Sequence, residues 1–244
     1  MTIRITRDSQ SIVFKGKVVL KIHENHKGFP QGSPGPIVPE GISADGKWIL
    51  YAIDPQGSAS LMADGLTLQA IRTSGGHSYT VASGLAYVDY RAWCGGRLVI
   101  TTGVGREATI HKQLEITGPP KWKARLLTSL PGRAWGSVAC APDGKSVVAQ
   151  SQPAEELRNF FATHWALWRV GLDGTATQLT HPPARHADES PRFAPDGTLY
   201  FVRSEKGHGS LYALRGRQVI GPLLALGFSL GYYGANAWPY SVRR

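Results

Sequence analysis

The stretch Asp188–Gly216, DESPRFAPDGTLYFVRSEKGHGSLYALRG, decides the fold. Pro191–Ala194 is a short β-type run, and Pro195-Asp196-Gly197 is a tight turn. Leu199-Tyr200-Phe201-Val202 is a second strand, made of residues that suit a pleated, half-buried surface. Glu205–Gly209 reads as a polar loop and Ser210–Leu214 as a third strand, closed by Arg215-Gly216; Gln218–Leu224 supplies a fourth. Four short antiparallel strands joined by tight turns make the repeating unit, the blade, of a β-propeller.

The same unit recurs upstream. APDG at Ala194–Gly197 appears again as APDG at Ala141–Gly144 and as SADG at Ser43–Gly46, with a degenerate Cys94-Gly95-Gly96-Arg97 between them. Equivalent positions ahead of these turns are Ile42, Cys94, Cys140 and Phe193, a period of roughly 50 residues. The expected fold is therefore all-β, a β-propeller of four-stranded antiparallel blades forming one domain over 1–244. Blades are expected at about 39–84, 85–132, 133–184 and 185–226. Thr2–Thr6, Ser11–Phe14 and Lys17–Ile22 read as three further strands, and Ala237–Arg243 as a lone innermost strand. Together, 1–22 and 237–243 would close a fifth blade across the termini; the alternative is a six-bladed array truncated at its N-terminus.

The net charge is +10, from 27 Lys and Arg against 17 Asp and Glu. The basic residues are scattered, and several, including Lys121, Lys123, Arg125 and Arg217, are expected on outermost strands, where charge discourages edge pairing. Nucleic-acid binding is disfavoured on this reading. No apolar run reaches the ~18 residues that span a membrane. The N-terminal MTIRITRDSQSIVFKGK alternates like a strand and lacks the apolar core of a secretion signal, so the default location is cytoplasmic. A different start or a removed leader would make it extracytoplasmic. The two cysteines, Cys94 and Cys140, are either two buried small hydrophobes or an inter-blade disulfide, which would imply an oxidising compartment.

The repeats resemble the TolB-type, WD-repeat-like propeller family. The resemblance is carried by Phe193-Ala194-Pro195-Asp196-Gly197 followed by Leu199-Tyr200-Phe201, by the lead-in Asp188-Glu189-Ser190-Pro191, and by Gly231-Tyr232-Tyr233-Gly234 with Trp238-Pro239-Tyr240, similar to endings of uncharacterised bacterial TolB-like proteins. It covers residues 39–244, most strongly the third and fourth blades. It implies a propeller that binds other molecules, commonly proteins, without catalysis. Related propellers serve as accessory domains of serine peptidases and as sugar-acid lyases.

Gly227-Phe228-Ser229-Leu230-Gly231 matches the G-x-S-x-G pattern of a nucleophile elbow. No Asp, Glu or His follows it, so it reads as a glycine-rich loop and no catalytic residue is assigned. His23-Glu24-Asn25-His26 lacks the H-E-x-x-H spacing, and the other histidines read as exposed loop residues; no metal or cofactor is expected.

Strand alternation puts the short turns at Asp45-Gly46, Asp143-Gly144, Asp196-Gly197, Gly75-Gly76 and Asp173-Gly174 on one face. The long loops Asp54–Gly65, Gly103–His111 and Ser151–Thr163 share the other, together with the links between blades. Those links carry Asp89, Tyr90, Arg133, Trp135, His186, Asp188, Glu189, Tyr233 and Asn236, which repeat symmetry would gather at the mouth of the central channel. Aromatic and charged groups at a concave mouth suit a binding site, here for a protein or peptide. The equally weighted reading is that its acids cap turns and pair with Arg133 and Arg185. The alternative function is an enzyme or sensor acting on a sugar or small anionic ligand.

Overall fold

A computed structural model describes residues 1–6, 9–23, 37–53, 65–85, 88–103, 113–154, 164–206 and 208–229. It is built of antiparallel strands in five sheets. Four have four strands, each an up-and-down meander in chain order: β4 (Ile37–Ile42), β5 (Trp48–Ile53), β6 (Gly65–Arg72) and β7 (Ser78–Leu85) form one. The next comprises β8 (Arg91–Cys94), β9 (Arg97–Thr102), β10 (Gln113–Thr117) and β11 (Arg125–Leu126). It is followed by β12 (Arg133–Cys140), β13 (Ser146–Pro153), β14 (Ala166–Gly171) and β15 (Ala176–Gln178). The last is β16 (His186–Phe193), β17 (Leu199–Glu205), β18 (His208–Arg215) and β19 (Gln218–Ser229). The N-terminal sheet has three strands among the described residues, β1 (Thr2–Ile5), β2 (Ser9–Phe14) and β3 (Lys17–His23). The expected closing strand, 237–243, lies outside the described residues, as do most of the long loops. Among the described residues no helix is long and apolar enough to cross a membrane.

The chain divides into two compact units. The first comprises Met1–Ala86, Val104–Arg106 and Gly118–Ala124; the second comprises Tyr87–Gly103, Glu107–Thr117 and Arg125–Arg244. The first contains the three-stranded sheet and the sheet β4–β7, packed through Ile12, Val19, Ile49, Tyr51 and Ile71. The second contains the other three sheets. Val99, Leu114, Trp135, Val138 and Val147 fill the space between its first two, and Val148, Leu167, Leu199 and Phe201 the space between its last two. Each such fully buried aliphatic or aromatic side chain contributes about 1.5–3 kcal/mol by leaving water.

The Asp-Gly turns have a common construction. The carboxylate Oδ1 of Asp45, Asp143, Asp173 and Asp196 accepts the amide of the residue two positions on, at 2.8–3.1 Å. Gly46, Gly144, Gly174 and Gly197 follow with φ between +65° and +95°, a region that favours glycine. The Gly amides are held in turn by the carbonyls of Ser43, Ala141, Gly171 and Ala194, each at 2.9 Å.

Three innermost strands carry a β-bulge: between Pro39 and Gly41 in β4, between Trp135 and Val138 in β12, and between Glu189 and Arg192 in β16. Several boundaries differ from the sequence expectation. Arg133, Trp135, His186, Asp188 and Glu189 lie within β12 and β16 themselves, not in links ahead of them. A 3-10 turn, Val88–Tyr90, precedes β8 and carries Asp89 and Tyr90 in the link ahead of that strand, as expected for these two. Gly227–Ser229 belong to β19, so the G-x-S-x-G segment begins in a strand and not in a loop. Lys121 and Lys123 are not on an outermost strand: β11 begins at Arg125, and both lysines belong to the first unit.

Candidate functional site

All described members of the expected site fall in the second unit, on the turn before β8 and on the innermost strands β12 and β16. Tyr233 and Asn236 lie outside the described residues. The innermost strands are tied blade to blade by polar side chains. Thr101 Oγ1 in β9 donates to the Gly136 carbonyl of β12 at 2.7 Å. Ser137 Oγ donates to Gln150 Oε1, which also accepts the Ser190 amide of β16 at 3.1 Å. The Asp188 amide donates to the Trp165 carbonyl at 2.8 Å. Gly136 must stay a glycine here, because a Cβ would collide with the Gln150 side chain.

Two groups of site residues emerge. The first is acidic. Asp188 is fully buried and is clamped by Arg203 from β17, with Nε to Oδ1 at 2.7 Å and Nη2 to Oδ2 at 2.9 Å, the two-pronged geometry that suits guanidinium and carboxylate. The Arg203 guanidinium also lies over the Tyr212 ring at 5.0 Å and is held above its ordinary pKa by Asp188. The pairing expected among Arg133, Arg185 and these acids is thus supplied by Arg203 for Asp188. Glu189 has its pKa pushed up to about 7 by burial, with a smaller opposing effect of the Ser204 hydroxyl and further upward pressure from the charges of Asp188 and Asp89. Asp89 is itself fully buried. His186 sits at the start of β16, 3.6 Å from the Glu205 carboxylate.

The linkage sign follows from the raised pKa. Below the ordinary 4.5 the carboxyl is protonated folded or unfolded; between 4.5 and about 7 the folded state holds the extra proton. Stability therefore falls as pH rises through that window. Glu189→Gln should remove this slope and raise stability at pH 8 by about 2 kcal/mol, less than the full shift implies because the residue as a whole is only half-buried. Urea denaturation of both proteins across the window checks this, and parallel curves would refute it.

The second group surrounds a cavity of about 280 Å³ between the β11–β12 connection and the ends of β10 and β13. Leu114, Leu130, Pro131 and Trp135 give it apolar walls, and Gln113, Thr128 and Arg133 polar ones. Arg133 is held in place: its Nε donates to Ser151 Oγ at 2.9 Å and its guanidinium lies 4.5 Å from the Trp168 ring centroid. Trp168 in turn meets Trp135 edge-on at 6.5 Å. The cavity lies where β10 begins and β13 ends, the strand ends to which two of the long loops attach, and the β11–β12 link lines it. Sequence reasoning named Arg133 and Trp135 but missed Arg203, Gln150, Ser151, Trp168 and the Thr128–Gly132 link. The polar run Gln150-Ser151-Gln152, fully buried in β13, was the readable signal for part of this network.

Cys94 and Cys140, at the ends of innermost strands β8 and β12, are joined by a disulfide with Cα atoms 5.2 Å apart. Among the described residues no group of three or more His, Cys, Asp or Glu is arranged to hold a metal ion.

No protein-family model matches the sequence, and neither does any curated protein. Solved structures do. A TolB-type protein from Agrobacterium tumefaciens matches with 16% identity and TM-score 0.53, over 88% of this chain and 76% of that one. TolB from Acinetobacter baumannii matches with 16% identity and TM-score 0.50, over 88% of this chain and 48% of that one. Oligogalacturonate lyase in complex with manganese matches with 12% identity and TM-score 0.56, over 90% of this chain and 62% of that one. The chain thus spans about half of the Acinetobacter protein and under two thirds of the lyase. The fold is that of a TolB-type β-propeller.

Proposed function

We propose that this TolB-type propeller is a binding module for a protein or peptide, with its site on the long-loop side of the second unit around Arg133. The observation that carries the reading is the size and lining of the cavity. At about 280 Å³ it lies at the small end for ligand pockets. That volume takes one anchoring side chain, and its walls of Leu114, Leu130, Pro131 and Trp135 favour an apolar or aromatic one. An immobilised guanidinium at the same site suits a neighbouring carboxylate, and arginine beside tryptophan is a usual composition of interface centres.

The test is selection of peptides from a display library against the wild-type protein, followed by affinity measurement on variants. Selected peptides should share one apolar anchor next to an acidic residue. Arg133→Glu should weaken them about tenfold or more, while Asp143→Lys and Asp196→Lys, in the Asp-Gly turns at the other strand ends of the same unit, should leave them unchanged. Loss of binding in the turn variants alone, with folding intact, would place the site on the wrong face. The rival reading, a sugar-acid lyase, draws on the fold shared with oligogalacturonate lyase. Stoichiometric manganese retained through equilibrium dialysis would favour the rival.

A further inference from the structure

The basic charge of this protein is not evenly shared. Among the described residues of the first unit, eight lysines and arginines (Arg4, Lys15, Lys17, Lys21, Lys47, Arg72, Lys121 and Lys123) stand against two acids, Glu40 and Asp45. All eight are exposed. In the second unit the described count is twelve against eight.

Four of the eight are organised around one aromatic cluster. Trp48, at the start of β5, is buried and meets Trp122 at 5.2 Å and Tyr79 at 5.7 Å, both edge-on. Arg72 is Trp48's cross-strand partner, and its guanidinium lies 4.8 Å from the indole centroid. Lys47 directly precedes Trp48, and its carbonyl accepts the Thr73 amide at 2.9 Å, tying the β4–β5 and β6–β7 turns together. Trp122 is buried, with its amide bonded to the Gly118 carbonyl at 2.9 Å, so the Pro119–Pro120 turn presents Lys121 and Lys123 on either side of it. His77, exposed, stacks edge-on against Tyr79 at 4.8 Å. The one carboxylate in the group, Asp45, lies 3.9 Å from Lys47 with both side chains at least half exposed, a contact worth little in water.

We propose that this edge of the first unit, where Lys47, Arg72, Lys121 and Lys123 surround the Trp48–Trp122 pair, is a docking surface for an acidic segment of a partner protein. Charge complementarity sets the sign of the partner. The state of the aromatic rings sets its class. The indoles are buried against one another and Trp48 is covered by Arg72, so they offer no open face on which nucleobases stack. What is offered outward is a guanidinium pre-positioned on a ring, with lysines beside it, which suits the two oxygens of a carboxylate. This surface shares no residue with the Arg133 cavity, and its failure would leave that reading untouched.

The probe is a fluorescein-labelled polyglutamate peptide, followed by anisotropy on the full chain, with a single-stranded oligodeoxynucleotide of equal charge alongside. Arg72→Glu with Lys121→Glu should weaken peptide binding about tenfold or more. Arg215→Glu with Arg217→Glu, the same change of net charge on exposed residues of the second unit, should alter it less than about twofold. Lys47→Glu with Lys123→Glu is a second variant that leaves the Arg72–Trp48 contact intact and should behave like the first. Equal weakening by the second-unit control would mean that net charge alone acts, and would overturn the proposal. So would tighter binding of the oligonucleotide lost in the same first-unit variants, or no measurable peptide binding to the wild-type protein.

Discussion

Arg203→Met should destabilise the protein by about 3–5 kcal/mol at neutral pH, because it strands a buried carboxylate without its partner. Asp188 has no solvent exposure, and both its oxygens are spoken for by the Arg203 fork. Methionine keeps much of the side-chain volume against Phe201 and Tyr212, so loss of packing is a small part of the change. Arg203→Lys, which keeps the charge and loses the fork, should fall between the two. Denaturant titrations of the three proteins at neutral pH read this out. A loss below about 1 kcal/mol would mean that Asp188 is carried by other neighbours.

The second large effect concerns the bridge between β8 and β12. Cys94 and Cys140 are 46 residues apart, and linking them removes loop-closure entropy from the unfolded chain. On the chain-entropy model that is worth about 4 kcal/mol. Cys94→Ala with Cys140→Ala should lower stability by roughly that amount, and reduction of the wild-type protein should reproduce the shift. Both half-cystines sit in the hydrophobic layer between these two sheets, beside Val99, Val138 and Val147, so the alanine pair also loses a little packing. Identical melting of oxidised and reduced wild-type protein would show that the bridge does not contribute.

The parts legible in the sequence and the parts that were not divide along physical lines. The Asp-Gly turns could be read because a positive φ at the second residue and a carboxylate that bonds the following amide demand those two residue types in that order. The pairing of Arg203 could not. Counting outward from the Asp196-Gly197 turn, where Phe193 faces Leu199, an unbroken hairpin would set Arg203 opposite Glu189. The bulge between Glu189 and Arg192 shifts the register by one and sets it opposite Asp188. Bulges leave little mark on composition, and the same obstacle hid the true starts of β12 and β16: an extra residue breaks the period-two alternation by which a strand is recognised. Asp89, Arg133, Trp135 and Asp188 were nonetheless selected, because repeat equivalence needs only the spacing to the next turn. The cavity around Arg133 was out of reach, since it depends on how Thr128–Gly132 folds back against β10 and β13.

The turns also bear on how the molecule ages chemically. An aspartate followed by glycine is the dipeptide most exposed to isomerisation, in which the glycine nitrogen attacks the side-chain carboxyl and closes a five-membered imide. This chain has four described Asp-Gly pairs in exposed turns, which would ordinarily be four weak points. In each, the glycine nitrogen has its hydrogen directed to a carbonyl three residues back, at 2.9 Å. The carboxylate faces the other way, onto the amide two residues on. At Asp45 and Asp173 a neighbouring hydroxyl, and at Asp196 the Thr198 amide, hold the carboxyl below its ordinary pKa, keeping it as the anion, the form least open to nucleophilic attack. Nucleophile and electrophile are thus adjacent in sequence and turned apart in space. The folded turns protect their own covalent chemistry, and the lifetime of those four peptide bonds is set by how often the blades open.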